Sequence, residues 1–193
     1  MNIEILYVGI YSYFLGTIPF GLIITKIFLN KDLRKIGSGN IGATNVFRTG
    51  KKSLGILTLL FDGLKGYLSV LLTINYFPEY IYFSSLLCFL GHIFPVWLKF
   101  KGGKGVAVYL GILFSFSIDL GVVFFISWLI VLNFSKYSSL SSLISTLIIF
   151  IYSIILKGFS ESIFFFIIFI IIIYTHRENI IRLKNNKENK IKF

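Results

Sequence analysis

Three polar segments interrupt this otherwise apolar chain of 193 residues, and the first of them runs from Gly37 to Arg48. Its sequence is GSGNIGATNVFR, and three glycines within six positions let the backbone approach a ligand closely and adopt positive φ angles. The neutral hydrogen-bonding groups are those of Ser38, Asn40, Thr44 and Asn45, and Arg48 adds a planar cationic fork. This composition suits an anion with several oxygens, although a glycine-rich turn between two helices remains the alternative.

The second polar segment joins a histidine to a run of glycines and lysines. It reads GHIFP from Gly91 and FKGGKGVA from Phe100. Successive glycine N–H groups that lead into a helix N-terminus form an anion nest, to which Lys101 and Lys104 add charge. The spacing differs from that of a P-loop, and a lysine loop that serves topology alone is the alternative.

The third polar segment starts where the last apolar run ends, at Tyr174. If the helix continues past this point, His176, Asn179 and Arg182, which are three positions apart, lie near one face of it. Their side chains could then point toward the end of the molecule that carries the other two polar segments. His92 and His176 are the only histidines, and imidazole suits proton transfer near neutral pH, although a hydrogen-bonding scaffold is the alternative role. We expect the residues after position 184 to form a solvated basic tail.

Two charged residues, Asp62 and Lys65, interrupt an apolar run. They lie three positions apart and are therefore neighbours on a helix. Charges within a membrane usually face a cavity or a partner, because their insertion into lipid is costly. The pair is either a structural ion pair or an arrangement in which Asp62 orients Lys65 toward an anionic ligand.

Composition excludes an ordinary soluble enzyme, a disordered chain and a fibrous protein. Hydrophobic residues make up 56% of the chain and charged residues only 14%, against about 25% in soluble domains. The net charge of +11 is divided among short loops, so we expect no nucleic-acid partner. The single cysteine, Cys88, excludes a disulfide framework, and without a carboxylate cluster no metal or other cofactor is expected.

Apolar segments recur along the whole chain and predict an all-α integral membrane protein with about seven transmembrane helices. We interpret residues 1–193 as one domain, with a basic tail over 184–193. The N-terminal segment lacks a positive leader and a small-x-small cleavage site, so we expect it to be retained. The predicted segments are Ile3–Leu29, Leu54–Phe77, Tyr80–Leu98, Val106–Ser117, Leu120–Phe134, Tyr137–Leu156 and Ile163–Tyr174.

Loop charge predicts the orientation of these helices. Most of the 19 lysines and arginines lie in residues 30–52, 99–104 and 135–136 and after Tyr174, and the alternate connections are poor in them. The positive-inside rule then places the N-terminus outside and the C-terminus inside. All three polar segments would therefore face the cytoplasm as glycine-rich and basic binding loops.

Together, these segments resemble the acyl-phosphate:glycerol-3-phosphate acyltransferase family of the PlsY type. The chain departs from the family pattern at Ile41, where proline is common, and at Val108, where threonine is common. The matching segments follow the family's order with similar spacing, and they are Gly37–Arg48, Asp62–Gly66, Gly91–Ala107 and His176–Leu183.

The resemblance implies transfer of a fatty acyl group from acyl phosphate to the sn-1 hydroxyl of glycerol 3-phosphate, which gives lysophosphatidic acid and phosphate. This is the first acylation of phospholipid biosynthesis, and it would occur in the bacterial cytoplasmic (inner) membrane among membrane lipids. The candidate catalytic residues are His92, Lys104 and His176. The candidate substrate-binding residues are Ser38, Gly39, Asn40, Thr44, Asn45, Arg48, Lys65, Lys101, Gly102, Gly103 and Asn179.

The resemblance also divides these residues between the two substrates. The glycerol 3-phosphate set would be Ser38, Arg48, Lys104, His176 and Asn179. The set around the acyl phosphate would be Gly39, Asn40, Thr44, Gly102 and Gly103.

No nucleophilic side chain stands in a recognisable motif, and this bears on the mechanism. Acyl phosphate is already activated, so direct attack by the glycerol hydroxyl is expected, with catalysis by positioning and charge stabilisation. The proton would pass to His92, His176 or a substrate phosphate oxygen, of which we favour the phosphate.

Two other classes of protein would also use basic polar segments. The first is a transporter or channel for an anionic metabolite. The second is a membrane subunit that binds acidic lipid through its loops. The lack of an internal repeat and the clustering of polar residues on one side favour the enzyme over the transporter. The lipid-binding subunit explains the charge, but it does not explain the glycines, amides and histidines.

Overall fold

The computed structural model describes residues 3–191, apart from the side chains at positions 157, 160 and 161. Within that range the secondary structure is helical, with no strand. The chain divides into two compact units, the first ending at Phe116 and the second starting at Ser117.

The first unit begins with a helix that is interrupted at a proline. Ile18 and Pro19 separate the first two helices, because proline has no N–H to donate and its ring blocks a continuous helix. The helices of this unit are α1 (Ile3–Thr17), α2 (Phe20–Leu29), α3 (Ala43–Phe47), α4 (Lys52–Tyr76), α5 (Ile81–Ile93) and α6 (Val106–Phe116). Short 3₁₀ turns cover Leu33–Lys35, Pro78–Tyr80 and Val96–Leu98.

Glycines bring the helices of the first unit into close contact. A Cβ at Gly16 in α1 would collide with the carbonyl of Cys88 in α5, and one at Gly66 in α4 would collide with the carbonyl of Val108 in α6. Small residues at helix crossings allow the backbones to approach in this way. The polar segments that follow α2 and α5 are thus attached to tightly packed helices.

The second unit contains α7 (Ile118–Ser135), α8 (Ser138–Lys157), α9 (Phe159–Thr175) and α10 (Arg177–Lys184). Several hydroxyls of α8 are bonded within the helix, as when Ser141 Oγ donates to the carbonyl of Tyr137 at 2.9 Å. The chain bends by 62° between α9 and α10. Helical structure thus continues past Tyr174, as the sequence analysis considered, but with a bend at His176.

The all-α membrane architecture predicted from the sequence is confirmed. Every predicted apolar segment is mainly helical, but α6 has only 11 residues and is too short to cross about 30 Å of hydrocarbon. In the described range five segments are long and apolar enough to cross a membrane, or six if the bent pair is one span. The five are Ile3–Leu29, Lys52–Tyr76, Pro78–Leu98, Ile118–Ser135 and Ser138–Leu156, and the bent pair is Ser162–Thr175 with Arg177–Lys184.

Candidate active site

The first polar segment is shaped by the buried side chain of Asn45. Its amide nitrogen donates to the carbonyls of Leu33, Ile36 and Asn40 at 3.2, 2.9 and 2.8 Å. Its Oδ1 accepts from the backbone N–H of Ser38 at 3.0 Å. The Asn45 amide thus organises the loop from within, and its expected contact with substrate stays a prediction.

Two positions of this loop require glycine because their backbone is left-handed. Gly37 has φ of +54° and Gly39 has φ of +71°, which L side chains rarely adopt. A Cβ at Gly37 would also collide with Oδ1 of Asn45. Asn40 Oδ1 accepts from the N–H of Gly42 at 2.8 Å, and this turn leads into α3. Ser38 and Gly39 are consequently presented at the exposed surface of the loop.

A basic cleft of about 420 Å³ opens beside Arg48. Lys31 and Lys35 contribute cations to its lining, together with Arg48. Asp32 also lines the cleft, but its carboxylate is paired with Arg34 at 2.7 Å, and the hydrogen bond from that guanidinium lowers the pKa of Asp32 to about 2. The cleft suits an anion. We did not predict Lys31 and Lys35 as binding residues, although their position directly before the glycine loop is visible in the sequence.

The second polar segment is folded tightly against the end of α5. The N–H of Gly102 donates to the carbonyl of Ile93 at 2.9 Å, and that of Gly103 donates to the carbonyl of His92 at 3.0 Å. These two donors are used by the backbone, so the predicted anion nest built on them is wrong. The glycines are needed for space, because a Cβ at Gly102 would meet the His92 carbonyl and one at Gly103 would meet the imidazole.

The lysines of the second polar segment lie on either side of its two glycines. Lys101 is exposed and Lys104 is half-buried, just before α6 begins at Val106. The glycines of the segment provide close packing between its two lysines. Substrate contact by these residues stays a prediction.

A buried charged cluster lies beside this segment. The ammonium of Lys65 is 2.9 Å from Oδ1 of Asp62 and 3.0 Å from Nδ1 of His92, and it donates to the carbonyl of Ile18 at 2.6 Å. The contact with Asp62 is an ion pair without hydrogen-bond geometry at Oδ1, whereas His92 and the Ile18 carbonyl are hydrogen-bonded to the ammonium. The side chain of Lys65 is only 2% exposed, so this geometry does not support its expected contact with an anionic ligand.

The protonation of His92 follows from its neighbour. Because an ammonium can only donate, Nδ1 of His92 must accept, and the proton of the neutral ring lies on Nε2. The edge of the ring that carries Nε2 lies against Gly103. This arrangement suits a positioning role better than that of a proton acceptor.

In the second unit, His176 and Asn179 lie at the bend between α9 and α10. Nδ1 of His176 is 2.9 Å from the carbonyl of Ile172 and must carry a proton, since a carbonyl only accepts. Both side chains are buried, at 3% and 6% exposure. The bend thus holds His176 in a fixed orientation, and its predicted role in catalysis stays a prediction.

The sequence analysis missed Glu188. Its carboxylate accepts from Asn179 Nδ2 at 2.6 Å, from Arg182 Nε at 2.8 Å and from Ser139 Oγ at 2.9 Å. Further along, the N–H of Ile191 donates to a backbone carbonyl at the α7–α8 turn. Residues 185–187, 189 and 190 are exposed, as expected of a solvated tail, but the expectation is wrong at Glu188 and Ile191. Glu188 is the only acidic residue after position 184, and this was the signal available in the sequence.

The candidate site residues thus fall into two groups by unit. In the first unit the two glycine-rich segments lie at the ends of α2 and α5, with the Lys65 cluster packed against the second. In the second unit His176, Asn179 and Arg182 lie at one bend. Among the described residues, no group of three or more His, Cys, Asp or Glu side chains is arranged to hold a metal ion.

Comparison with known proteins identifies a family for nearly the whole chain. The family model described as glycerol-3-phosphate acyltransferase matches residues 6–186. A glycerol-3-phosphate acyltransferase of Pelagibacter ubique is 59% identical over 189 residues, which are 98% of each chain. One from Ehrlichia canis is 48% identical and covers 93% of this chain and 95% of its own.

Solved structures show the same fold. The crystal structure of PlsY (YgiH), an integral membrane glycerol 3-phosphate acyltransferase in its glycerol 3-phosphate form, superposes with a TM-score of 0.92. The two chains are 37% identical, and the match covers 98% of this chain and 96% of the other. The lysophosphatidic acid form of PlsY gives a TM-score of 0.90 at 36% identity.

Proposed function

This chain belongs to the glycerol-3-phosphate acyltransferase family, and from that premise we propose that it uses acyl phosphate as the donor and acylates the sn-1 hydroxyl of glycerol 3-phosphate. The products are lysophosphatidic acid and inorganic phosphate. The observation that carries the proposal is the likeness of the whole chain to PlsY structures in a glycerol 3-phosphate form and a lysophosphatidic acid form.

The chemistry of the polar segments supports a direct transfer. The hydroxyl oxygen of glycerol 3-phosphate attacks the acyl carbonyl carbon, the carbon–oxygen bond to phosphate breaks, and phosphate leaves with the electron pair. The hydroxyl proton passes to a phosphate oxygen. The Lys65 ammonium against Nδ1 disfavours His92 as the acceptor. Catalysis then depends on positioning and on cations near the developing charge.

Residue roles follow the family resemblance. We assign Ser38, Arg48, Lys104, His176 and Asn179 to glycerol 3-phosphate. The basic cleft that Arg48 lines supports the assignment of Arg48. Around the acyl phosphate we place Gly39, Asn40, Thr44, Gly102 and Gly103. The glycines contribute by close packing, because the N–H groups of Gly102 and Gly103 are already used.

We place the enzyme in the bacterial inner membrane, with the reaction on the cytoplasmic side. The support is the charge of its segments, since the loops that carry the candidate residues are the basic ones. The N-terminus then lies outside and the C-terminus inside.

The test follows phosphate release by purified protein in lipid, with palmitoyl phosphate and glycerol 3-phosphate as substrates. We expect release that needs the acceptor, is absent with palmitoyl-CoA as donor, and falls about 10²-fold or more in Lys104→Ala. Lys26→Ala, which removes an exposed cation of α2, is the matched control and should retain activity. Turnover with palmitoyl-CoA would contradict the proposed donor. Folded protein without acceptor-dependent release would contradict the reaction.

A further inference from the structure

The buried Asp62–Lys65 pair has no part in the proposed chemistry, yet it is costly to maintain. Asp62 and Lys65 are 1% and 3% exposed, within a helix long enough to cross a membrane. Removing two charges from water offsets much of their attraction, and apolar replacements of such pairs are often neutral or stabilising. Stability alone is therefore a weak reason for the pair, and its contacts indicate another.

Lys65 connects parts of the chain that lie far apart in sequence. The carbonyl of Ile18 is available to it because Pro19 interrupts the helix at that point. The ammonium also lies 5.7 Å from the centroid of the Phe20 ring, at the start of α2. On its other side is His92, at the end of α5. The ammonium thus connects the α1–α2 break with the end of α5.

The connection through His92 leads to the second polar segment. His92, which accepts a hydrogen bond from Lys65, packs its imidazole on Gly103. The backbone carbonyl of His92 also accepts a hydrogen bond from the N–H of Gly103. A rotation of the His92 ring would therefore press on the backbone directly before Lys104. Lys65 fixes that ring at Nδ1.

The connection through Ile18 leads to the first polar segment. Ile18 and Phe20 flank the proline at which α2 begins, and the next residue, Gly21, packs directly on the carbonyl of Ile41. Ile41 is 2% exposed and lies in the middle of the first segment. A shift at the start of α2 would therefore move the loop that carries Ser38 and Asn40.

We propose that Lys65, held in place by Asp62, is a positioning residue that fixes the first and second polar segments relative to each other for two phosphate-bearing substrates. Neither side chain touches substrate. The inference rests on the proposed function, because the need for fixed spacing comes from joining two substrates. Misplacement by about 1 Å costs on the order of 10²-fold in rate.

The test removes both charges together, in Asp62→Asn/Lys65→Met. A single substitution leaves one charge buried without its partner, whereas the double variant leaves a neutral and nearly isosteric pair. We expect a melting temperature close to that of the wild type and a kcat/KM about 10²-fold lower. The affinity for glycerol 3-phosphate alone should weaken about tenfold or more, because loop 37–48 and residues 101–104 lose their common support.

The matched control is Tyr11→Phe/Thr73→Val. Tyr11 and Thr73 form a partly buried polar pair between α1 and α4, eight residues further along α4 from Lys65. This variant should keep wild-type kcat/KM. A double variant at positions 62 and 65 with unchanged kcat/KM and affinity would overturn the proposal. So would a loss that only follows the fraction of unfolded protein.

Lys65→Arg keeps the proposal testable if the double variant does not fold. The guanidinium keeps a cation beside Asp62, so neither charge is left buried without its partner. Its planar fork does not reproduce the contacts of the ammonium with Ile18 and His92, and we expect a kcat/KM at least about tenfold lower. Unchanged kinetics in this variant would overturn the proposal.

Inactivity of the wild type with palmitoyl phosphate would contradict the donor assignment and not the positioning role. The affinities of the wild type and the variants for glycerol 3-phosphate would then decide the positioning role.

Discussion

The two histidines of this chain use the same ring nitrogen, Nδ1, in opposite ways. His92 accepts at Nδ1 from the Lys65 ammonium, whereas His176 donates at Nδ1 to the carbonyl of Ile172. The neutral His92 ring therefore carries its proton on Nε2, against Gly103. A sequence shows two histidines in similar polar surroundings, but only their partners separate their chemistry.

The contact between His92 and Gly103 gives a prediction at the residue scale. In Gly103→Ala the new Cβ would collide with the imidazole, which is held by Lys65 and cannot retreat freely. Overpacking of this kind costs about 1–3 kcal/mol. We expect a kcat/KM at least about tenfold lower, measured by phosphate release.

Gly63→Ala is the matched control for that substitution. Its Cβ would make an ordinary contact with the carbonyl of Ala107 at 3.6 Å, and alanine favours the helix. It should therefore retain activity and stability. Equal effects of the two substitutions would contradict the specific collision at Gly103.

At the scale of elements, hydrogen bonds fix the C-terminal segment, residues 185–191, to the helices of the second unit. We call this segment the strap. Glu188 collects donors from α8 and α10 and is 5% exposed. Burial raises the pKa of Glu188, but hydrogen bonds from Arg182, Asn179 and Ser139 outweigh that effect and leave it below the ordinary value of 4.5. The ionised carboxylate is therefore the form that holds the strap.

The strap gives a prediction about pH. Because the folded-state pKa is lowered, the stability contributed by Glu188 is fully present above about pH 4.5 and is lost as the pH falls through the lowered value. Amide exchange across residues 185–191, corrected for intrinsic rate, should be constant from pH 7 to 5 and faster below that range. Constant protection down to the lowest pH at which the protein stays folded would contradict this account.

The same strap is tested at neutral pH by Glu188→Gln. Loss of charge-assisted hydrogen bonds worth about 1.5–3 kcal/mol should speed exchange across residues 185–191 by about tenfold or more. Glu178→Gln is the control, since Glu178 is 74% exposed and its contact with Arg182 is long, at 3.7 Å. Equal exchange in the two variants would show that Glu188 does not hold the segment.

At the scale of the whole molecule, the charge asymmetry of the loops predicts orientation in the membrane. The single cysteine, Cys88, is fully buried and leaves little background for thiol labelling. Ile3→Cys should react with an impermeant maleimide added to intact cells, because Ile3 is exposed near the N-terminus. Lys184→Cys should react only after permeabilisation. The reverse pattern would contradict the proposed orientation.

The class of architecture and the chemistry of the polar segments could be predicted from the sequence. Apolar runs of about 20 residues have few alternatives to membrane helices, because lipid leaves backbone groups no other partners. The order and spacing of the glycine, lysine and histidine motifs were enough for a family resemblance, which the comparisons confirm. These features are local along the chain and can be read without coordinates.

The hydrogen-bond partners of individual polar atoms could not be predicted in this way, because they depend on the folded arrangement. Asn45, Gly102 and Gly103 have residue types that suit a ligand, yet their polar groups are paired with the protein's own backbone. Lys65 and Glu188 have partners that lie 27 to 49 positions away in sequence. Which partner a donor finds depends on distances between packed elements, and residue type and spacing do not specify those distances.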